Sequence, residues 1–167
     1  MYRCFNSNLR ERKEMIEMTD CENILLSMLS AESAMKDKRK ALERIADQAD
    51  IGFLIRPDAY RSSWDYCAKV LFFVEDDRLA PHLSALLQWV EALNDEGSEF
   101  VELRLAEMDA KMLAPTLNSF IIRHGNEKSN DWYYGIRGLA MGRCRPGLSV
   151  EAVEILERKR IESERSE

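Results

Sequence analysis

Two histidines, four cysteines and thirty acidic side chains are the groups with which this chain could do chemistry. A hydrolytic centre needs a nucleophile, a base and an orienting group within reach of one another. His82 follows Pro81 near an expected helix start and off the apolar stripe, so it is expected at the surface. His124 precedes Gly125, where a histidine can meet the last carbonyls of a helix. The cysteines, at positions 4, 21, 67 and 144, form no Cys-x-x-Cys step of the kind that metal and redox sites use. Cys67 falls inside an apolar pattern and reads as a buried reduced thiol. Neither a glycine-rich phosphate loop nor a His-Glu-x-x-His helix is written in the sequence. The expectation is a chain with no catalytic residue, no metal ligand and no cofactor.

Carboxylates gather in two places, Glu75-Asp76-Asp77 and Asp95-Glu96 with Glu99 and Glu102. Paired acids can hold a metal or exchange protons. Both groups, however, fall at helix starts or on solvent faces, where acids are favoured anyway. Their best functional version is an acidic surface of Glu75, Asp76, Asp77, Glu96 and Glu99 that meets a basic protein. Such complementarity speeds encounter and rejects wrong partners. Of the three tryptophans, Trp64 and Trp132 read as core anchors. Trp89 lies beside a leucine stripe on a face shared with His82 and Ala85, so its ring is expected to be partly exposed. Exposed tryptophan often centres the binding energy of an interface. His82, Trp89, Asn94 and Asp95 are therefore the expected partner-binding set.

A repeat must position these residues. Leu79-Ala80-Pro81-His82-Leu83 returns 34 residues later as Leu113-Ala114-Pro115-Thr116-Leu117. In the same frame Tyr66 matches Phe100 and Leu71 matches Leu105, and a double step carries Trp64, Tyr66 and Leu71 onto Trp132, Tyr134 and Leu139. A period of this length marks stacked helical units, each hiding its apolar face against a neighbour. Apolar periodicity and caps predict about eight helices and no strand. One opens at a Thr19–Glu22 capping box and buries Ile24, Leu25, Met28 and Leu29. A second spans 36–48 with Leu42, Ile45 and Ala46 inward. Ile51 to Asp58 reads as an apolar linker laid on the bundle.

The next helix, capped by Ser62 or Ser63, runs to Val74 and buries Trp64, Cys67, Leu71 and either Ala68 or Phe72. Helix 78–94 carries Pro81 in its first turn and buries Leu79, Leu83, Leu86, Leu87, Val90 and Leu93. Helices 99–108 and 112–123 repeat that pair and end at Gly125, expected in the left-handed conformation. Helix 132–142 is capped by Asp131, and a last helix, capped by Ser149, is built on Val150, Val153 and Leu156.

At 167 residues the chain is long enough to bury a sizeable core as one domain. The expected organisation is a flexible arm at 1–18 and one helical-repeat domain at 19–165. Within that domain, 19–56 forms a cap, 57–142 the repeat core and 149–165 a closing helix. The fold class is all-α, a short HEAT-like stack of antiparallel helix pairs. A content of 46% hydrophobic and 32% charged residues fits a soluble globular chain. The net charge of −6 argues against nonspecific nucleic-acid binding, which needs lysine and arginine to neutralise phosphates, and against anionic lipid. No signal peptide and no membrane-length apolar run are visible, so the expected compartment is the cytoplasm.

The block from Pro57 to about Met141 resembles a small bacterial all-helical family of unknown function that is related in shape to HEAT repeats. The residues that carry the resemblance are Leu86-Leu87-Gln88-Trp89-Val90, the following Asn94, and the helix start Asp131-Trp132. The family usually places an aspartate before the asparagine and a Trp-Pro pair after it, whereas this chain reads Ala92-Leu93-Asn94-Asp95-Glu96. The resemblance implies stacked helices and carries over no activity.

Two function classes follow. The first is a noncatalytic interaction module that presents a groove to a protein, of which an immunity-type inhibitor of a basic toxin is one specific version. The second is an enzyme or small-molecule binder whose site is assembled from scattered carboxylates and His82.

Overall fold

Apolar residues recurring every three or four positions close eight helices of nine or more residues, with no strand among the described residues. The computed structural model describes residues 20–92, 95–127 and 130–165. The expected N-terminal arm, Thr19 of the capping box, Leu93 and Asn94 lie outside them.

In chain order the helices are α1 (Asp20–Met28), α2 (Met35–Ala46), α3 (Trp64–Phe72), the single turn α4 (Asp76–Leu79), α5 (Leu83–Glu91), α6 (Ser98–Glu107), α7 (Ala110–His124), α8 (Asp131–Met141) and α9 (Val150–Glu164). The segment between α2 and α3 forms two 3-10 turns, and Ile51, Phe53 and Leu54 seal it onto the core. That apolar linker behaves as its composition predicts. The all-helical class and the helix number agree with the sequence reading.

Shifting α3 by 34 residues lands on α6, and a second shift lands on α8. The same shift carries α4 and α5 onto α7. These equivalent helices touch: α3 packs on α6, α6 on α8, α5 on α7, and α7 on α9. The echoed leucines Leu79, Leu83, Leu113 and Leu117 are all buried, in one core that runs from Leu25 to Leu156. Truncating any of them to alanine would cost roughly 2–5 kcal/mol. Helix α5 also meets α8, and the contact passes through Gly135, where a Cβ would stand 2.5 Å from the Val90 carbonyl oxygen.

Polar bonds spaced by about one repeat lock the units together. Buried Arg104 of α6 donates from Nε and Nη2 to the Val74 carbonyl at 3.3 and 2.7 Å, and from Nη2 to the Asp76 carboxylate. The Asp109 amide donates to the other Asp76 oxygen at 3.1 Å. Further on, the Ser149 amide donates to Asn118 at 2.8 Å, and Arg158 donates to the Gly125 carbonyl at 2.6 Å. A buried guanidinium offsets its desolvation only when its N–H groups are satisfied in this way.

Several local expectations need correction. Ile24, Leu42 and Val150 are 50%, 45% and 76% exposed, and Ala46 is exposed too. Helices α1, α2 and α9 lie at the ends of the assembly, so fewer neighbours cover them. The predicted helix 78–94 is broken by a 3-10 turn at Ala80–His82. Gly125 is right-handed (φ −58°, ψ −23°), so helix α7 does not end in a left-handed cap. Ser63 turns inward and donates to the Tyr60 carbonyl, so it does not cap α3, and α8 starts at Asp131 with no side-chain cap. Ser149 does cap α9, accepting from the Ala152 amide. Cys67 is fully buried as a free thiol, and burial pushes its pKa up to about 12. Trp64 and Trp132 are core residues.

Candidate functional site

The connection between α5 and α6 decides what the expected partner-binding residues can do. Trp89 is fully buried. Its indole N–H donates to the Glu96 carbonyl at 3.1 Å, and its ring meets that of Trp64 edge-on at 6.1 Å between centroids. The expectation of a partly exposed Trp89 is therefore corrected. Eighteen degrees or so of helix rotation separates a stripe edge from its centre in such patterns, and α3 and α6 cover both sides of α5 here. Trp89 supports the loop from beneath instead of meeting a partner with its ring.

Above it, the Asp95 carboxylate is gripped by two arginines, Arg56 Nη2 at 2.9 Å and Arg61 Nη2 at 3.3 Å. Both guanidinium groups also lie over the Trp64 ring, at 5.2 and 5.0 Å from its centroid. Arg56 holds a left-handed backbone (φ +47°), which costs a non-glycine residue on the order of 1–3 kcal/mol. Its second bond, Nη1 to the Gln88 carbonyl at 3.1 Å, helps to keep it there. Gly97 has φ +83°, and a Cβ at that position would stand 2.6 Å from the Ala68 Cβ, so this turn requires glycine.

These turns frame a groove of about 510 Å³ lined by Asp65, Tyr66, Asp95, Glu96, Glu99 and neighbouring small residues. Asp65 is paired with Lys69 at 2.6 Å, while Glu96 and Glu99 are exposed. Lys38 and Lys69 both stand over the Tyr66 ring, at 3.7 and 5.1 Å. Three residues singled out from the sequence, Asp95, Glu96 and Glu99, thus share one concavity.

The others do not join it. His82 pairs with Asp50 at 3.2 Å on the far side of the 3-10 turn that breaks the helix. Asn94 lies outside the described residues. Glu75 and Asp77 are exposed at the start of α4, and Glu75 makes no side-chain cap. Asp76 is structural: the Arg104 side chain, and then the Asp109 amide, hold its carboxyl below the usual carboxylate range.

A second grouping was not read from the sequence. Glu91 at the end of α5, His124 at the end of α7 and Glu127 just beyond it bring three potential ligand atoms within 4.8 Å of one another. His124 Nδ1 lies 2.8 Å from Glu127 Oε1 and 3.7 Å from Glu91 Oε1. Burial pushes the Glu91 carboxyl upward, with His124 opposing that rise. The only written signal is a His-x-x-Glu step at 124–127, which is common on helices, and Glu91 is brought in by packing alone. No helix among the described residues is long and apolar enough to cross a membrane. In comparison with known proteins, the chain matches no family model, no curated protein and no solved structure.

Proposed function

We propose that this chain is a noncatalytic protein-protein interaction module, a short HEAT-like stack whose acidic groove receives a basic segment of a partner protein. The observation that carries this reading is the groove itself, in which Asp65, Asp95, Glu96 and Glu99 surround Tyr66. Its rim carries negative charge, its floor offers an aromatic face, and its lining contains neither histidine nor cysteine. Arg56 and Arg61 fix Asp95 in one orientation, so the groove is preorganised and loses little freedom on binding. An immunity-type inhibitor of a basic toxin is the specific form of module that small size and acidity suit.

The test is binding of lysine- and arginine-rich peptides by fluorescence anisotropy at two salt concentrations. Glu96→Lys with Glu99→Lys should weaken binding at least about tenfold and flatten its salt dependence. Equal affinity in the double variant would sink the reading. The competing class, an enzyme built on scattered carboxylates and His82, has less support, because His82 is engaged by Asp50 outside the groove.

A further inference from the structure

We infer that Glu91, His124 and Glu127 form a binding site for one divalent transition-metal ion, with Zn²⁺ the best-fitting member of that class. Three acceptor groups converge here. Ligands of zinc bind at about 2.0–2.2 Å, which places neighbouring ligand atoms roughly 3–4 Å apart. The two nitrogen-to-oxygen separations, 2.8 and 3.7 Å, bracket that spacing. One imidazole with two carboxylates is a zinc-type set that leaves room for water or a further ligand.

Two independent features point to a missing cation. First, His124 Nδ1 is shielded from solvent and has no hydrogen-bond partner, although Glu127 Oε1 is only 2.8 Å away. The carboxylate oxygen therefore sits beside the ring nitrogen's axis and leaves that axis clear. The one other orphaned buried side-chain polar atom among the described residues is Nε1 of Trp132, whose ring lies 6.1 Å from that of His124. Second, α5 ends at Glu91 and α7 ends at His124, so two helix C-termini bring partial negative charge to a place that already holds two carboxylates. Arg56 is the cation that acts on Glu91 from nearby, and its guanidinium is already committed to Asp95 and the Gln88 carbonyl.

The ligands are also held in place. The His124 ring stacks on Phe120 at 4.2 Å with a 21° tilt. Lys159 is buried and donates to the Glu127 carbonyl at 2.6 Å and to Asn130 at 3.0 Å, which ties the Glu127 backbone to α9. A site with its orientation fixed in this way favours a metal over a mobile counter-ion.

The experiment is calorimetric titration of the chelator-treated full chain with ZnCl₂ under reducing conditions, with thermal melting in parallel. One Zn²⁺ per chain and a raised melting temperature are expected. His124→Asn and Glu127→Gln should each weaken binding at least roughly tenfold and remove the thermal shift. Glu127 is exposed, so Glu127→Gln retains the fold and gives a readout even where His124→Asn is destabilised. Cys21→Ser, which removes the most accessible described thiol, should leave binding unchanged, as should Glu96→Lys with Glu99→Lys in the groove. Failure to bind below millimolar Zn²⁺, or equal affinity in Glu127→Gln, would overturn the assignment without touching the groove.

Discussion

Leu79-Ala80-Pro81-His82-Leu83 and Leu113-Ala114-Pro115-Thr116-Leu117 occupy the same place in consecutive units and bury the same leucines, yet they fold differently. Each proline is the sixth residue of its helix, where it removes one hydrogen bond and crowds the carbonyl four residues back. In the second unit α7 runs unbroken from Ala110 to His124. In the first, the chain tightens into a 3-10 turn and His82 leaves the helical region (φ −106°, ψ 2°) before α5 begins.

Two differences around the shared proline account for this. Asp109 caps α7 by accepting from the Lys111 amide at 2.9 Å, whereas the matching Glu75 makes no such bond. A longer acid reaches past the amides that a short one caps. His82 is in addition drawn to Asp50 and stands against Gly52, where a Cβ would meet its ring at 3.1 Å. Thr116, in the matching place, is too short for such a reach. A proline in a helix is therefore a latent break, and the cap and the tethers beside it decide whether it opens.

The largest expected effect lies in the clamp that joins the two units. Arg104→Ala strands the Val74 carbonyl and the Asp76 carboxylate and should cost about 2–3 kcal/mol in urea unfolding. The clamp also has a pH signature. Asp76 has a lowered folded-state pKa, so its contribution is present above the unfolded value of roughly 3.9 and is lost as pH falls through the folded value. Asp76→Asn should remove that part of the acid limb, and an unchanged limb would show the clamp to be unimportant.

A smaller contrast separates the two caps. Asp109→Ala should destabilise by about 1 kcal/mol and Glu75→Ala by much less. Equal losses would mean that capping does not explain why one helix is continuous. The smallest effect is expected for His82→Thr, which copies the second unit into the first. The His82–Asp50 pair is partly exposed, so the stability change should stay within about 0.5 kcal/mol. A rise in helical circular dichroism would mark the tether, and not the missing cap, as the cause of the break.

Much of the architecture was legible because it rests on period and composition. The spacing of Leu83, Leu86, Leu87 and Val90 shows which side of α5 is buried whatever that side meets. The repeat likewise aligned α3, α6 and α8 before any contact was known. Trp89 was misjudged because a residue at the edge of one helix's stripe is exposed or buried according to how many helices flank it. Leu42 and Val150 erred in the opposite direction, at the ends of the assembly where flanking helices run out.

The candidate sites divide along the same line. Asp95, Glu96 and Glu99 are close in sequence and needed only a turn at Gly97 to share a groove. Glu91 and His124 lie on different helices, and no local pattern links them. The amino-acid sequence by itself determined the helical class, the helix number and the buried leucine faces, because these follow from nearest-neighbour geometry along one chain. Tertiary structure alone decided that Trp89 is sheltered, that Asp76 belongs to a clamp, and that two helix ends meet at His124. Those outcomes depend on distances between segments some 30 residues apart, and only packing sets such distances.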